Sequence, residues 1–499
     1  MIRLAAAAAL GAASTLGFAP FALPLAVAPA PLFSLAALAW LIRGAPLRRA
    51  TLIGWCYGLG AFLSGVSWVY VSMARFSGLP AAAAAAATLA FCAFLALYPA
   101  LATAISAFLW RRLPARGTWR VGLAFGAAWA LGEWLRGSLL TGFPWLAVGY
   151  AHSQPSPLAG YAPVLGVYGV GMLAASMSAW LALSFIASQR RRAIAGMVLI
   201  AGMGAVLTGM RWTQPVGEPL HVRLLQGDVA QDVKWDPARL RLSLDRYASL
   251  AAAPGHGAGN SAPAAATLTV LPETALPLMF DQVPRDYLAL LATHGPVLLG
   301  SAVAIHDGGY VNAAVGYTQP DAPQVYAKRH LVPFGEYPPP GFRWFFDALR
   351  IPMSEFSAGP ARQPVLTLAG QRIAPNICYE DLFGEELLMA LPEASLLINL
   401  SNTAWFGHSL AQPQHLQIAQ MRALETGRPM LRATNSGVTA SVSPQGEVLT
   451  QLPPFAPGRL DVTVTGYGGH TPYTRWGNAL FLVLALGTLV TAAVRGSRG

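Results

Sequence analysis

Three residues of this 499-residue chain carry chemistry that their neighbours lack: Glu273 in TVLPETALP, Lys328 in VYAKRHLVPFGEYPP and Cys378 in PNICYED. Each stands at the end of an apolar run of strand length, where a sheet delivers side chains to its edge. Taken singly, each also fits a plainer role: Glu273 capping a turn, Lys328 snorkelling to solvent, Cys378 filling core space. Together they supply what a thiol nucleophile needs. A thiol with a pKa of about 8.5 is mostly protonated at neutral pH, so attack requires a base for its proton and a positive charge for the anion that develops. A partly desolvated Glu273 can take the proton. Lys328 can hold the thiolate and then the oxyanion of a tetrahedral intermediate, with the backbone N–H of Tyr379 as second donor. Only two of the 33 basic residues are lysines, Lys234 and Lys328. In a chain so biased towards arginine, a lysine marks a place where a compact, deprotonatable ammonium does what a guanidinium cannot.

The other two cysteines, Cys56 and Cys92, lie in apolar runs, so Cys378 has no partner for an intramolecular disulfide in the polar part of the chain. It is therefore either a buried thiol or a used one. His408 and His415 are seven residues apart, about 10 Å along a helix, too far to chelate one ion together. With no CxxC in the sequence, neither a metal nor any other cofactor is expected.

The elements that must position these residues come in two kinds. Charged residues are only 11% of the chain and hydrophobic ones 54%, which is the composition of a membrane protein with something attached. Apolar runs at about 4–22, 24–42, 52–73, 83–110, 121–139, 163–187, 193–210 and 477–494 give eight candidate spans of a polytopic α-helical domain. Arg3 before an alanine-rich core also fits a signal peptide, but the second run follows at once and favours a retained helical pair. With the N-terminus inside, the cytoplasmic segments hold 13 arginines and the outer flanks and loops hold Arg75, Arg136, Arg211 and Arg475. That asymmetry supports an even number of spans with both termini inside. Glu133 and Arg136, at the outer end of the fifth run, fit either a functional pair or a helix-end ion pair.

The expected domains are thus 1–210 with seven helices, an outer domain at 211–476, and 477–499 as the eighth helix and tail. The net charge of +11 divides into +14 on the apolar parts and −3 on residues 211–476. The basic excess is topology, and a nucleic-acid partner is not expected. After a linker RWTQPVGEP at 211–219, ten apolar runs of strand length alternate with helices predicted at 237–252, 282–294, 381–390 and 412–426. Runs apolar on both faces, such as LLIN, point to sheets covered by helices on one side and by another sheet on the other, an α/β sandwich.

The order LPE, YAKRHLVPFGEYP, NICYED resembles the nitrilase superfamily, an αββα sandwich fold, and in its wording the apolipoprotein N-acyltransferase family. The resemblance extends to GEWLRGSLLTGFPWLAVGY at 132–150, QGDVAQDVKWDP at 226–237, SNTAWFG at 401–407 and RPMLRATNSGVTASVSPQGEV at 428–448. It implies Glu273 as base, Lys328 as stabiliser and Cys378 as nucleophile, with Glu336, Tyr379 and Glu380 in support and Trp235 at the acyl-chain entrance. It implies a phospholipid acyl donor, a diacylglyceryl apolipoprotein acceptor, and a multi-pass protein of the bacterial inner membrane with its catalytic domain in the periplasm. The segment 341–359, with Trp344 and Phe345, then fits a lid dipping into the interface, or a helix packed permanently on the domain. Flanking spans restrict the packing through which soluble nitrilases oligomerise, which argues for a monomer. Two other readings stay open: a membrane-bound nitrilase-like amidase hydrolysing small C–N bonds, and a transporter or scaffold whose outer domain only binds lipid.

Overall fold

The computed structural model describes residues 1–21, 30–113, 117–153, 155–230, 240–252, 268–305, 308–341, 343 and 355–495. Trp235, Trp344 and Phe345, and with them most of the expected lid, lie outside the described residues. The chain divides into two compact units, one of Met1–Tyr70, Pro80–Arg211 and Thr471–Gly499, the other of Val71–Leu79 and Trp212–His470.

The first unit is helical. Each of the eight apolar runs contains helix, from Ile2–Ser14 to Ala479–Arg495. Among the described residues, three stretches are long and apolar enough to cross a membrane: Ala81–Trp110, Pro157–Ser184 and Arg190–Thr208. A fourth is added if Leu47–Gly65 and Val69–Phe76, bent by 58°, count as one. Small residues let these helices approach closely. A Cβ on Gly60 would stand 2.0 Å from the carbonyl oxygen of Ala8, so only glycine allows that crossing. The buried Glu133 accepts from the Trp129 indole N–H at 3.0 Å and the Val148 N–H at 2.9 Å. Arg136 donates to the carbonyls of Phe143 and Trp145 at 2.5 and 2.6 Å. Both charges therefore brace the chain turn at 143–148.

The second unit is a two-sheet sandwich. Its strands are β1 Thr213–Gln226, β2 Leu268–Val270, β3 Val297–Ala304, β4 Tyr310–Tyr317, β5 Gln324–Ala327, β6 Leu366–Leu368, β7 Gln371–Ile377, β8 Leu396–Ser401, β9 Met430–Thr434, β10 Ala440–Val442, β11 Val448–Gln451 and β12 Gly458–Gly469. One sheet runs β12-β1-β2-β3-β4-β5 and the other β11-β10-β9-β8-β7-β6. Val222, Leu224, Val270 and Leu298 of the first sheet pack on Ile373, Ile377, Ile398 and Leu431 of the second. On the outer face of the first sheet, Leu299 and Val315 meet Tyr247 and Leu288 of helices Leu240–Ala252 and Arg285–Leu291. On the second, Leu397 and Met430 meet Leu416 and Ala423 of helix Ala411–Thr426. This is the αββα layering expected.

Three features depart from the sequence reading. Residues 213–219, expected as linker, belong to β1, which pairs antiparallel with β12 from Thr213↔Gly469 to Gln226↔Gly458. β11 and β12 were not among the ten strands expected; both are only partly buried, with Val448 of β11 and Leu460, Val462 and Val464 of β12 packed on the core. His408 precedes helix Ala411–Thr426 and is not part of it.

β1, β2 and β3 are parallel, as are β7, β8 and β9, so their carboxyl ends gather at one edge of each sheet. Glu273 follows β2 by three residues, Lys328 follows β5 directly, and Cys378 follows β7 directly. The backbone carrying Glu273 lies so near β3 that a Cβ on Gly300 would come within 2.5 Å of the Glu273 Cα. Gly300→Val is expected to cost about 1–3 kcal/mol of overpacking. The unfolding midpoint of the detergent-solubilised protein should fall by roughly 2–10 °C, whereas an unchanged midpoint would mean that the backbone yields.

Candidate active site

Strand ends position the three residues, and side chains lock them. Lys328, 1% exposed, directs its ammonium at two carboxylates, Glu336 Oε1 at 2.9 Å and Glu273 Oε1 at 3.3 Å. Burial works against the charge on Lys328, but the two carboxylates outweigh it and hold the ammonium protonated well above the ordinary lysine range. Asn312 on β4 donates through one amide nitrogen to both carboxylates, at 2.8 Å each. The other oxygen of Glu273 accepts the backbone N–H of Asn402, just beyond β8, at 2.9 Å. Glu336 is pinned by its own loop, its second oxygen accepting the Val332 N–H at 2.8 Å. Both carboxylates thus have fixed orientations and one shared cation.

Cys378 sits where β7 breaks into a short 3-10 turn, Cys378–Leu382. Its φ of 52° is in the left-handed region, which a non-glycine residue occupies only when its surroundings enforce it. The enforcement comes largely from Glu380. One carboxylate oxygen accepts the Ile377 N–H at 2.7 Å; the other accepts the N–H groups of Arg329 and His330 at 2.7 and 3.2 Å and the Tyr326 hydroxyl at 3.0 Å. Glu380 therefore ties the end of β5, carrying Lys328, to the end of β7, carrying Cys378. The next residue, Asp381, is fully buried and bonds His415 Nε2 and Arg432 Nη1, both at 2.6 Å. The ring of Tyr379 lies 5.1 Å edge-on to Phe383, which in turn stacks on His330 at 3.6 Å.

Cys378 is half-buried as a residue, whereas Glu273 and Lys328 are buried. Burial pushes the Cys378 thiol well up, the Glu273 carboxylate pushes it further, and Lys328 pulls it back only in part. Glu273 and Lys328 are thus close enough for their charges to act on the thiol. All three triad residues and the supporting Glu336, Tyr379 and Glu380 share one site. Sequence reading missed Asn312, Asp381, His415 and Arg432. A lone amide inside the apolar strand YVNAAVGY was a signal that could have found Asn312. The bonds of Asp381 to His415 and Arg432 join residues 34 and 51 positions apart and left no local signal.

Comparison with known proteins bears on this geometry. Residues 10–180 match the model of the apolipoprotein N-acyltransferase N-terminal domain, and residues 221–472 match that of carbon-nitrogen hydrolase. The chain is 48% identical over 500 residues to an apolipoprotein N-acyltransferase of Nitrosomonas europaea, covering 98% of this chain and 96% of that protein. It is 46% identical over 520 residues to one of Ralstonia nicotianae, covering 100% and 94%. The chain belongs to the apolipoprotein N-acyltransferase family. Its sandwich has the carbon-nitrogen hydrolase fold of that family's second half. Among solved structures, an amidase of the nitrilase superfamily from Nesterenkonia is 18% identical, with a TM-score of 0.38 over 54% of this chain and 97% of that one. A carbon-nitrogen hydrolase from Helicobacter pylori is 15% identical, with a TM-score of 0.35 over 49% and 89%.

A raised thiol pKa means that the resting sulfur is protonated, so its reactivity should climb with pH. Alkylation of Cys378 by iodoacetamide, followed by mass spectrometry from pH 6 to 9, is expected to run slower than that of a free thiol and to rise throughout. A plateau below pH 7 would mark a preformed thiolate and contradict this site description.

Proposed function

We propose that this protein transfers an acyl chain from a phospholipid, through a thioester on Cys378, to the α-amino group of an apolipoprotein's N-terminal diacylglyceryl-cysteine. The observation that carries the reading is one buried ammonium shared by Glu273 and Glu336 beside the Cys378 thiol, in a chain related over nearly its whole length to apolipoprotein N-acyltransferases. Family membership of the helical half, residues 10–180, favours this activity over the nitrilase-like amidase.

In the first step the Cys378 sulfur attacks the carbonyl carbon of the donor ester while Glu273 takes the thiol proton. Negative charge gathers on the former carbonyl oxygen, where Lys328 and the Tyr379 N–H receive it. The C–O bond to glycerol then breaks, Glu273 returns the proton to the leaving alkoxide, and a lysophospholipid departs. In the second step the acceptor amine attacks the thioester carbonyl, Glu273 accepts an N–H proton, and the thiolate leaves as the amide forms and recovers that proton. The donor chain is assigned as the sn-1 chain of phosphatidylethanolamine.

Both substrates are anchored in lipid, which accounts for a sandwich joined at both ends to apolar helices. The proposed topology has eight spans, seven within 1–210 and the eighth in 477–499, with residues 211–476 in the periplasm of an inner-membrane monomer. Trp235, Trp344 and Phe345 are assigned to the acyl-chain entrance, because aromatic rings settle at the water–lipid boundary.

The test is capture of the intermediate. Incubation with labelled phosphatidylethanolamine and no acceptor should place one acyl group on Cys378, detectable by mass spectrometry and absent from Cys378→Ala. Replacing Trp235 or the Trp344–Phe345 pair with polar residues should slow capture without unfolding the protein. An unlabelled wild type sinks the transferase reading, label persisting in Cys378→Ala sinks the nucleophile assignment, and unslowed aromatic variants remove the entrance.

A further inference from the structure

Behind the turn that carries Cys378 lies a set of buried polar side chains that the mechanism above does not use. Asn376 on β7 and Asn399 on β8 are register partners, and neither they nor Ser401 expose any surface. Fully buried amides inside a sheet cost free energy unless every polar atom is paired, so their bonds are informative. The Ser401 hydroxyl donates to Asn399 Oδ1 at 2.6 Å. The Asn399 amide then donates from Nδ2 to Asn376 Oδ1 at 2.7 Å and to the backbone carbonyl of Cys378 at 3.2 Å. Asn376 donates onward to the Ile398 carbonyl at 3.4 Å. The direction of the chain is unambiguous. A backbone carbonyl can only accept, so Asn399 must present its NH2 group to Cys378, and the Ser401 hydroxyl holds it in that orientation.

The carbonyl of Cys378 and the N–H of Tyr379 belong to one peptide group. In a planar trans peptide these two bonds point in opposite directions. Holding the carbonyl towards Asn399, on the sheet side, therefore turns the Tyr379 N–H the other way. The φ of 52° at Cys378 marks a turn that its surroundings impose.

We infer that Asn399, oriented by Ser401, is a positioning residue that sets the oxyanion donor by fixing the Cys378–Tyr379 peptide plane. The inference rests on the acyl-transfer reading, because only attack on a carbonyl generates an oxyanion that needs this donor. Glu380 braces the same turn by accepting the Ile377 N–H, so the fold of the turn does not depend on Asn399 alone. What Asn399 adds is a bond that directs one peptide, whose Cys378 carbonyl also accepts from the imidazole of His415.

This assignment separates two reactions of the same sulfur. Acylation by a phospholipid passes through an oxyanion, whereas alkylation by iodoacetamide is a direct displacement at carbon and makes none. In Asn399→Leu, of similar volume but without a donor, the single-turnover rate of acyl capture on Cys378 should fall about 10–100-fold, below the roughly 100–1,000-fold typical of deleting an oxyanion donor outright. The half-saturating phospholipid concentration should not move, and alkylation at pH 8.5 should stay within about twofold of wild type. Ser401→Ala, which only frees the amide to rotate, should show the same split at smaller size, and it carries the test if Asn399→Leu is not recovered folded. Capture at the wild-type rate, or capture and alkylation falling together, overturns the inference. A wild type that captures no acyl group at all sinks the functional reading instead, and this inference with it.

Discussion

One buried ammonium shared between two carboxylates is the interaction on which the rest of this site depends. Lys328 lies within 2.9 and 3.3 Å of Glu336 and Glu273, and Asn312 spans the same two groups. Two carboxylates and one ammonium leave a single excess negative charge in a largely dry pocket. A thiolate would make that excess two; burial raises the Cys378 thiol first, and the Glu273 carboxylate raises it further. Attack on an ester avoids the problem. As the C–S bond forms, the thiol proton neutralises Glu273 and the negative charge reappears on the substrate oxygen, so the total never changes. Removing the ammonium alone would leave two buried carboxylates uncompensated, which costs about 3–5 kcal/mol for a buried pair.

The sandwich exists, for this purpose, to bring ends of strands from two sheets together. Glu273 and Lys328 follow strands of one sheet and Cys378 follows a strand of the other, so nothing within a single sheet could assemble the three. Ties at the site itself cross the gap. Glu380, beside the nucleophile, takes three donors from Tyr326, Arg329 and His330 around Lys328. The N–H of Asn402, at the end of β8, holds the free oxygen of Glu273. With these in place the apolar core between the sheets, which has no directional preference of its own, need only hold the layers together.

Much of this was legible in the sequence, and the parts that were not share a physical cause. Glu273, Lys328 and Cys378 stood out because each interrupts an apolar run at its end, whereas Glu336 and Glu380 came from the family resemblance. The four-layer outline followed from runs apolar on both faces. Asp381, His415 and Arg432 were hidden because a buried charge cluster looks, residue by residue, like any surface polar residue, and their partners lie far away in the chain. His415 is a core histidine bonded to Asp381, the residue three past Cys378. β12 was missed although Leu460, Val462 and Val464 alternate with polar residues as in a half-buried strand, and its pairing with β1 is visible only once both are folded. Span number is the reverse case: eight apolar runs are plain in the sequence, while among the described residues three helical stretches, or four with the bent pair, meet the length and hydropathy of a span.

The central claim is that the charge balance around Lys328 makes Cys378 a resting place for an acyl group between two lipids, and the most direct measurement is the discharge of that thioester. Acyl-enzyme prepared with labelled phosphatidylethanolamine and freed of donor would be mixed with a peptide bearing an N-terminal diacylglyceryl-cysteine, and the label followed in time. The account predicts that the acyl group moves to the peptide amine as an amide, at least about 100-fold faster than it is lost to water, with the Cys378 thiol regenerated. Loss of label at the same rate with and without the peptide, appearing as free fatty acid, would contradict it.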